Sequence, residues 1–119
     1  MWIFTETGFV SAVRKDEYPD VLTVRSRDRK SLESLAKLAA VEIAQSPKGD
    51  YPYRLFVSAD LFGQWAVEQI MGLDYNNFKN QIAQTRGADY AYALHDVWLA
   101  MLQTEDAESR KKAGVNASN

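Results

Sequence analysis

VLTVRSRDRKSLESLAKLAAVEIAQSPKGDYPYRLFVS, residues 21–58, is the stretch whose reading decides the fold. Apolar and polar residues alternate from Val21 to Arg27, so a strand there carries Leu22 and Val24 on one face. Thr23, Arg25 and Arg27 fall on the other. Asp28 has the short acceptor side chain that caps a helix N-terminus. Leu32, Leu35, Ala36, Ala39, Ala40 and Ile43 then recur at helical spacing, which predicts a helix to about Gln45. Ser46-Pro47-Lys48-Gly49-Asp50 breaks it. Over Tyr53–Ser58, Leu55 and Val57 alternate against Arg54 and Phe56, giving another strand. Two strands joined through one helix are expected to run parallel with a right-handed crossover.

Working outward, Trp2–Thr5 and Phe9–Lys15 are rich in aromatic and β-branched residues and flank Glu6-Thr7-Gly8, which predicts a hairpin. Downstream, Ser58 or Asp60 caps a helix over Leu61–Met71 that Gly72 ends. Two more helices are expected over about Asn76–Gln84 and Ala88–Leu102. The order is β-β-β-α-β-α-α-α, an α+β class. Trp2, Ile3 and Phe4 are apolar on both faces, as a central strand would be. The expectation is therefore a four-stranded mixed sheet in the order 3-2-1-4, with helices mainly on one face. Residues 1–103 read as a single domain, and 104–119 as a polar tail that frays.

Composition excludes several chemistries. The chain has 119 residues, 46% of them hydrophobic and 25% charged, as expected of a globular protein able to bury a core unaided. With no cysteine there is no thiol catalysis, thiolate metal site or disulfide. With one histidine there is no His-pair metal site. No phosphate loop, dinucleotide fingerprint or calcium loop occurs, so no cofactor and no metal are expected. The formal net charge of −2 speaks against a dedicated duplex-DNA binder. The N-terminus lacks the pattern of a signal peptide and no apolar run reaches membrane length, so the expected location is the cytoplasm, with no membrane partner.

Met1-Trp2-Ile3-Phe4-Thr5, Gly8-Phe9, Ser11-Ala12-Val13 and Leu22-Thr23-Val24-Arg25-Ser26-Arg27 form one block. Tyr51-Pro52-Tyr53-Arg54, Asp74-Tyr75-Asn76-Asn77-Phe78-Lys79 and Val97-Trp98 form a second. Together they resemble an uncharacterised family of short bacterial and phage proteins, over most of residues 1–102. The resemblance implies one compact domain and carries no activity, ligand or site. Ser26 stands where the resemblance implies a small apolar residue. A phage or mobile-element accessory factor acting on a host process would fit such relatives.

Three groups of residues are candidates for function. His95 is the one available neutral-pH base, but the adjacent Asp96 faces elsewhere on a helix. A hydrolase-like reading would need another carboxylate, and a nucleophile such as Ser11, Thr23 or Ser58. A boundary histidine is the plainer reading. Tyr75, Asn77, Lys79, Tyr92 and His95 form the second group, polar and aromatic residues left over once Phe78, Ile82, Leu94, Val97 and Trp98 are assigned to packing. They read as a contact surface, with Asn76 or Asp74 as a helix cap. The third group is the basic strand face of Arg14, Thr23, Arg25 and Arg27, which would suit RNA or single-stranded nucleic acid. Asp16, Glu17, Asp20 and Asp28 are expected to neutralise much of it, and edge protection is the plainer reading. The resulting expectation is a non-enzymatic interaction protein that binds a protein partner or itself, with nucleic-acid binding as the alternative.

Overall fold

A computed structural model describes residues 1–105. The tail expected from Thr104 lies, beyond Glu105, outside the described residues. Among the described residues the fold is α+β, with five strands in one open sheet and four α-helices. The chain divides into two compact units, Met1–Phe78 and the segment from Lys79 onward.

The first unit opens with β1 (Trp2–Thr5) and β2 (Gly8–Val13), an antiparallel hairpin in which Thr5 faces Gly8. Gly8 has φ 137°, a conformation that favours glycine. The Thr5 hydroxyl accepts from the Thr7 backbone N–H at 3.2 Å and tightens the turn. After β3 (Leu22–Ser26), the Asp28 carboxylate accepts from the Ser31 backbone N–H at 2.9 Å and so caps α1 (Lys30–Ala39). Helix α2 (Ala59–Met71) starts at Ser58, whose hydroxyl accepts from the Leu61 N–H at 3.2 Å.

Between these helices the structure departs from expectation. Helix α1 stops at Ala39, six residues before Gln45, because Ala40 turns left-handed at φ 55°. The Val41 N–H then closes onto the Ala36 carbonyl at 3.1 Å. The released chain forms a two-residue strand, β4 (Ala44–Gln45), turns through residues 46–52, and returns as β5 (Tyr53–Val57). Strand β5 pairs antiparallel with both β4 and β3. The parallel relation expected after the helical crossover therefore holds between β3 and β4, which are not neighbours, and every hydrogen-bonded pair is antiparallel.

The sheet is accordingly five-stranded in the order β1-β2-β3-β5-β4, in place of a four-stranded mixed sheet ordered 3-2-1-4. Strand β1 is an edge rather than the centre. Its two-sided apolar character has another cause, visible in the core. Val10, Ala12, Val24, Leu55 and Val57 pack with Leu32 and Leu35 of α1 and with Phe62 and Trp65 of α2. Ile3, Leu22 and Tyr53 pack against the same cluster. Strand side chains alternate, so all of these belong to one face, and both helices cover that face. Trp65, 1% exposed, donates its indole N–H to the Ser34 hydroxyl at 2.9 Å. Ser26, at the position where the resemblance implies an apolar residue, is buried and donates to the Phe9 carbonyl at 2.6 Å.

The second unit holds most of α3 (Phe78–Arg86) and all of α4 (Ala88–Met101), followed by a 3-10 turn at Leu102–Thr104. Gly87, at φ 96°, separates the helices. Ile82 is fully buried and Leu94 half-buried, but Val97 and Trp98 are exposed, so those two do not serve as core. No helix of the described residues is long and apolar enough to cross a membrane.

Candidate functional site

The sheet face opposite α1 and α2 carries Trp2 and Phe4 from β1, Phe9, Ser11 and Val13 from β2, and Thr23 and Arg25 from β3. Arg54 and Phe56 of β5 and Ala44 of β4 complete it. No helix of the first unit packs on it. The aromatic residues of the opening hairpin therefore do not serve the core. Phe9 is the hub: its ring lies 4.8 Å from Phe4, 5.6 Å edge-on from Trp2 and 6.4 Å from Tyr51. Trp2 is 68% exposed. At the far side Phe56 meets Tyr18 at 4.9 Å, and both are exposed.

Tyr51, 8% exposed, begins the return into β5, and three arginines gather on it. The guanidiniums of Arg25 and Arg27 lie 4.7 and 4.8 Å from the centre of its ring. Arg54 donates to its carbonyl at 3.2 Å. Arg25 also donates to the Ser11 hydroxyl at 2.8 Å, and Arg27 to the Asp50 carbonyl. Strand register sets Arg25 directly opposite Arg54. Every partner of these three guanidiniums is neutral, and among the described residues none has an ion-paired carboxylate.

The basic face is thus partly as expected and partly redrawn. Arg25 and Arg27 are on it. Thr23 is on it too, but at 1% exposure its hydroxyl is roofed over and has no hydrogen-bond partner. Arg14 lies past the end of β2 and donates to the Pro19 carbonyl at 2.7 Å in the following turn. The acids expected to neutralise the face form no ion pair with Arg14, Arg25, Arg27 or Arg54. Asp28 is turned into the α1 cap, and Asp16, Glu17 and Asp20 are exposed in the β2–β3 connection. No carboxylate lies among the strand residues of the face. Sequence reasoning missed Arg54 and Tyr51. The alternation of Arg54 with Leu55 was visible, but the expected strand order put it far from Arg25.

In the second unit, Lys79, Tyr92 and His95 line one open cleft of about 360 Å³ with Asn80, Ala83, Ala88 and Ala91. The Lys79 ammonium lies 3.0 Å from His95 Nδ1 and 5.2 Å above the Trp98 ring. His95 stacks on Trp98 at 5.7 Å. Three of the five residues expected to form a contact surface are therefore gathered. Tyr75 instead lines a groove of about 170 Å³ with Ile3, Phe4 and Trp65 in the first unit. Burial, then nearby Glu6 and Asp74, raises its phenol pKa above the usual value. Asn77 is exposed just before α3. The hydrolase-like reading gains no geometry. The contacts of His95 are to a lysine and an indole, Ser11 is engaged by Arg25, Ser58 is a helix cap, and Thr23 is shielded.

No family model, curated protein or solved structure matches the chain.

Proposed function

We propose that this protein is a binding module in which the sheet face opposite α1 and α2 takes up single-stranded nucleic acid. The observation that carries the reading is the sharing of one open face by aromatic rings and unneutralised arginines. Trp2 and Phe4, each packed on Phe9, present planar hydrophobic surface, with Trp2 68% exposed, that gains by stacking a planar partner. Unpaired bases are such partners, and their backbone supplies the negative charge that the arginines lack. Four neighbouring strands span roughly 14 Å, comparable to the sheets on which RNA-binding domains stack two or three bases. The net charge of −2 does not oppose this reading, because association responds to the local field and no strand residue of the face is acidic.

Fluorescence anisotropy with a labelled single-stranded oligonucleotide tests it. Phe9→Ala should weaken binding by about 1–3 kcal/mol, the worth of one stacked base, while the protein keeps its circular dichroism spectrum. Failure of the wild type to bind either RNA or DNA single strands at low salt would remove the reading.

A protein partner or self-association is the second reading, and a separate observation favours it. Val67, Ile70, Met71 and Leu73 at the end of α2 are each more than half exposed, as are Trp98 and Met101 of α4. Apolar side chains in that number are the usual mark of a contact surface. Light scattering after size exclusion decides whether a second copy covers them.

A further inference from the structure

The arginine cluster around Tyr51 has a more specific use than general attraction. Arg25 and Arg54 stand directly opposite each other across β3 and β5, where two like charges destabilise a sheet. Arg27 adds a third charge over the same ring. Ordinary surface arginines disperse or pair with carboxylates, whereas these three are held together by a tyrosine ring, two backbone carbonyls and a serine hydroxyl. None of those neutral partners removes the charge. The Nε atoms of Arg25 and Arg54 are moreover shielded from water and without a hydrogen-bond partner. Nε and one terminal nitrogen form the fork with which a guanidinium grips an oxyanion through two parallel bonds. In both arginines Nε is closed off and Nη2 is already engaged, by the Ser11 hydroxyl or the Tyr51 carbonyl, so Nη1 of each is the nitrogen left to meet an oxyanion.

We propose that Arg25, Arg27 and Arg54, positioned by Tyr51, form a phosphate seat that holds one backbone phosphate of a bound single strand. The seat lies beside Phe9, whose ring is 6.4 Å from that of Tyr51, so the next base along the strand meets the aromatic hub. Tyr51 is a positioning residue: its ring orders two guanidiniums and its carbonyl a third. The inference rests on the reading of this face as a nucleic-acid surface, and adds which residues carry the electrostatic part of binding. Phe9, Phe4 and Trp2 carry the stacking part.

The test measures the affinity of wild type, Arg25→Ala/Arg54→Ala and Phe9→Ala for an oligothymidylate of about ten nucleotides, over a range of salt concentrations. Each neutralised phosphate contributes about 0.7 to the slope of log affinity against log salt for a single strand. The double alanine variant should bind at least tenfold more weakly and lose slope, by about 0.7 for the single phosphate lost. Phe9→Ala should weaken binding and keep the slope. The paired lysine variant, Arg25→Lys/Arg54→Lys, keeps the charge and loses the planar guanidiniums. It should keep the slope and still bind more weakly than wild type, which covers the case in which the alanine variant does not fold. A wild type that binds with a slope the double alanine variant retains overturns the seat and leaves the nucleic-acid reading standing. A wild type that does not bind at all overturns the reading itself, and the seat with it.

Discussion

Thr23→Val should make this protein more stable. Thr23 lies on the sheet face opposite α1 and α2, between Val13 on β2 and Phe56 on β5, and only 1% of it is exposed. Its hydroxyl has no hydrogen-bond partner. A buried hydroxyl left unsatisfied costs about 1–3 kcal/mol. Valine has the same branched shape and β preference, so the replacement opens no cavity and removes the unmet polar group. The expected gain is about 1–2 kcal/mol, or roughly 4–8 °C in Tm per kcal/mol for a unit of this size. Urea denaturation at fixed temperature reads the first quantity and a thermal melt the second. Equal or lower stability of the variant would refute the reasoning, because it would mean that the hydroxyl is satisfied.

Other outcomes follow from single contacts. Ala40→Gly should stabilise by about 0.5–1 kcal/mol, because the left-handed conformation at φ 55° strains a side chain by more than glycine's added chain entropy costs; urea denaturation checks it. Ser58→Ala should destabilise by about 1 kcal/mol through loss of the α2 cap, with the loss appearing in the same denaturation assay. Tyr75 has a raised phenol pKa in the folded state, so its contribution to stability is complete below the usual tyrosine value of 10.0. It is lost as pH rises beyond that value. Tyr75→Phe should therefore flatten the alkaline limb of the stability profile.

How much of this could be read from the chain depended on whether a residue's neighbours are local. The hairpin around Gly8, the inward set of Leu22, Val24, Leu55 and Val57, and the placement of α2 and α4 all follow from short-range periodicity, and the structure has them. Strand β4 could not be read that way. It has two residues, both exposed, and Val41 and Ile43 just before it continue the helical spacing of α1. The helix ends there because an alanine turns left-handed, which no glycine or asparagine announces. That unseen strand decides the sheet order, and the order decides the site. With β5 beside β3, Arg54 faces Arg25, and Tyr51 is brought under both arginines that follow Val24. The grouping of Lys79 with His95, sixteen positions apart on different helices, was likewise legible as two suspicious residues but not as a pair.

The central claim is that the sheet face opposite α1 and α2 is the binding surface, and photo-crosslinking locates a bound strand most directly. A single-stranded oligonucleotide carrying thiolated pyrimidines, irradiated with the wild-type protein and analysed by mass spectrometry, should attach at Trp2, Phe4, Phe9 or Tyr51. Crosslinks confined to the exposed residues of α2 or α4, with none on the sheet face, would contradict the account.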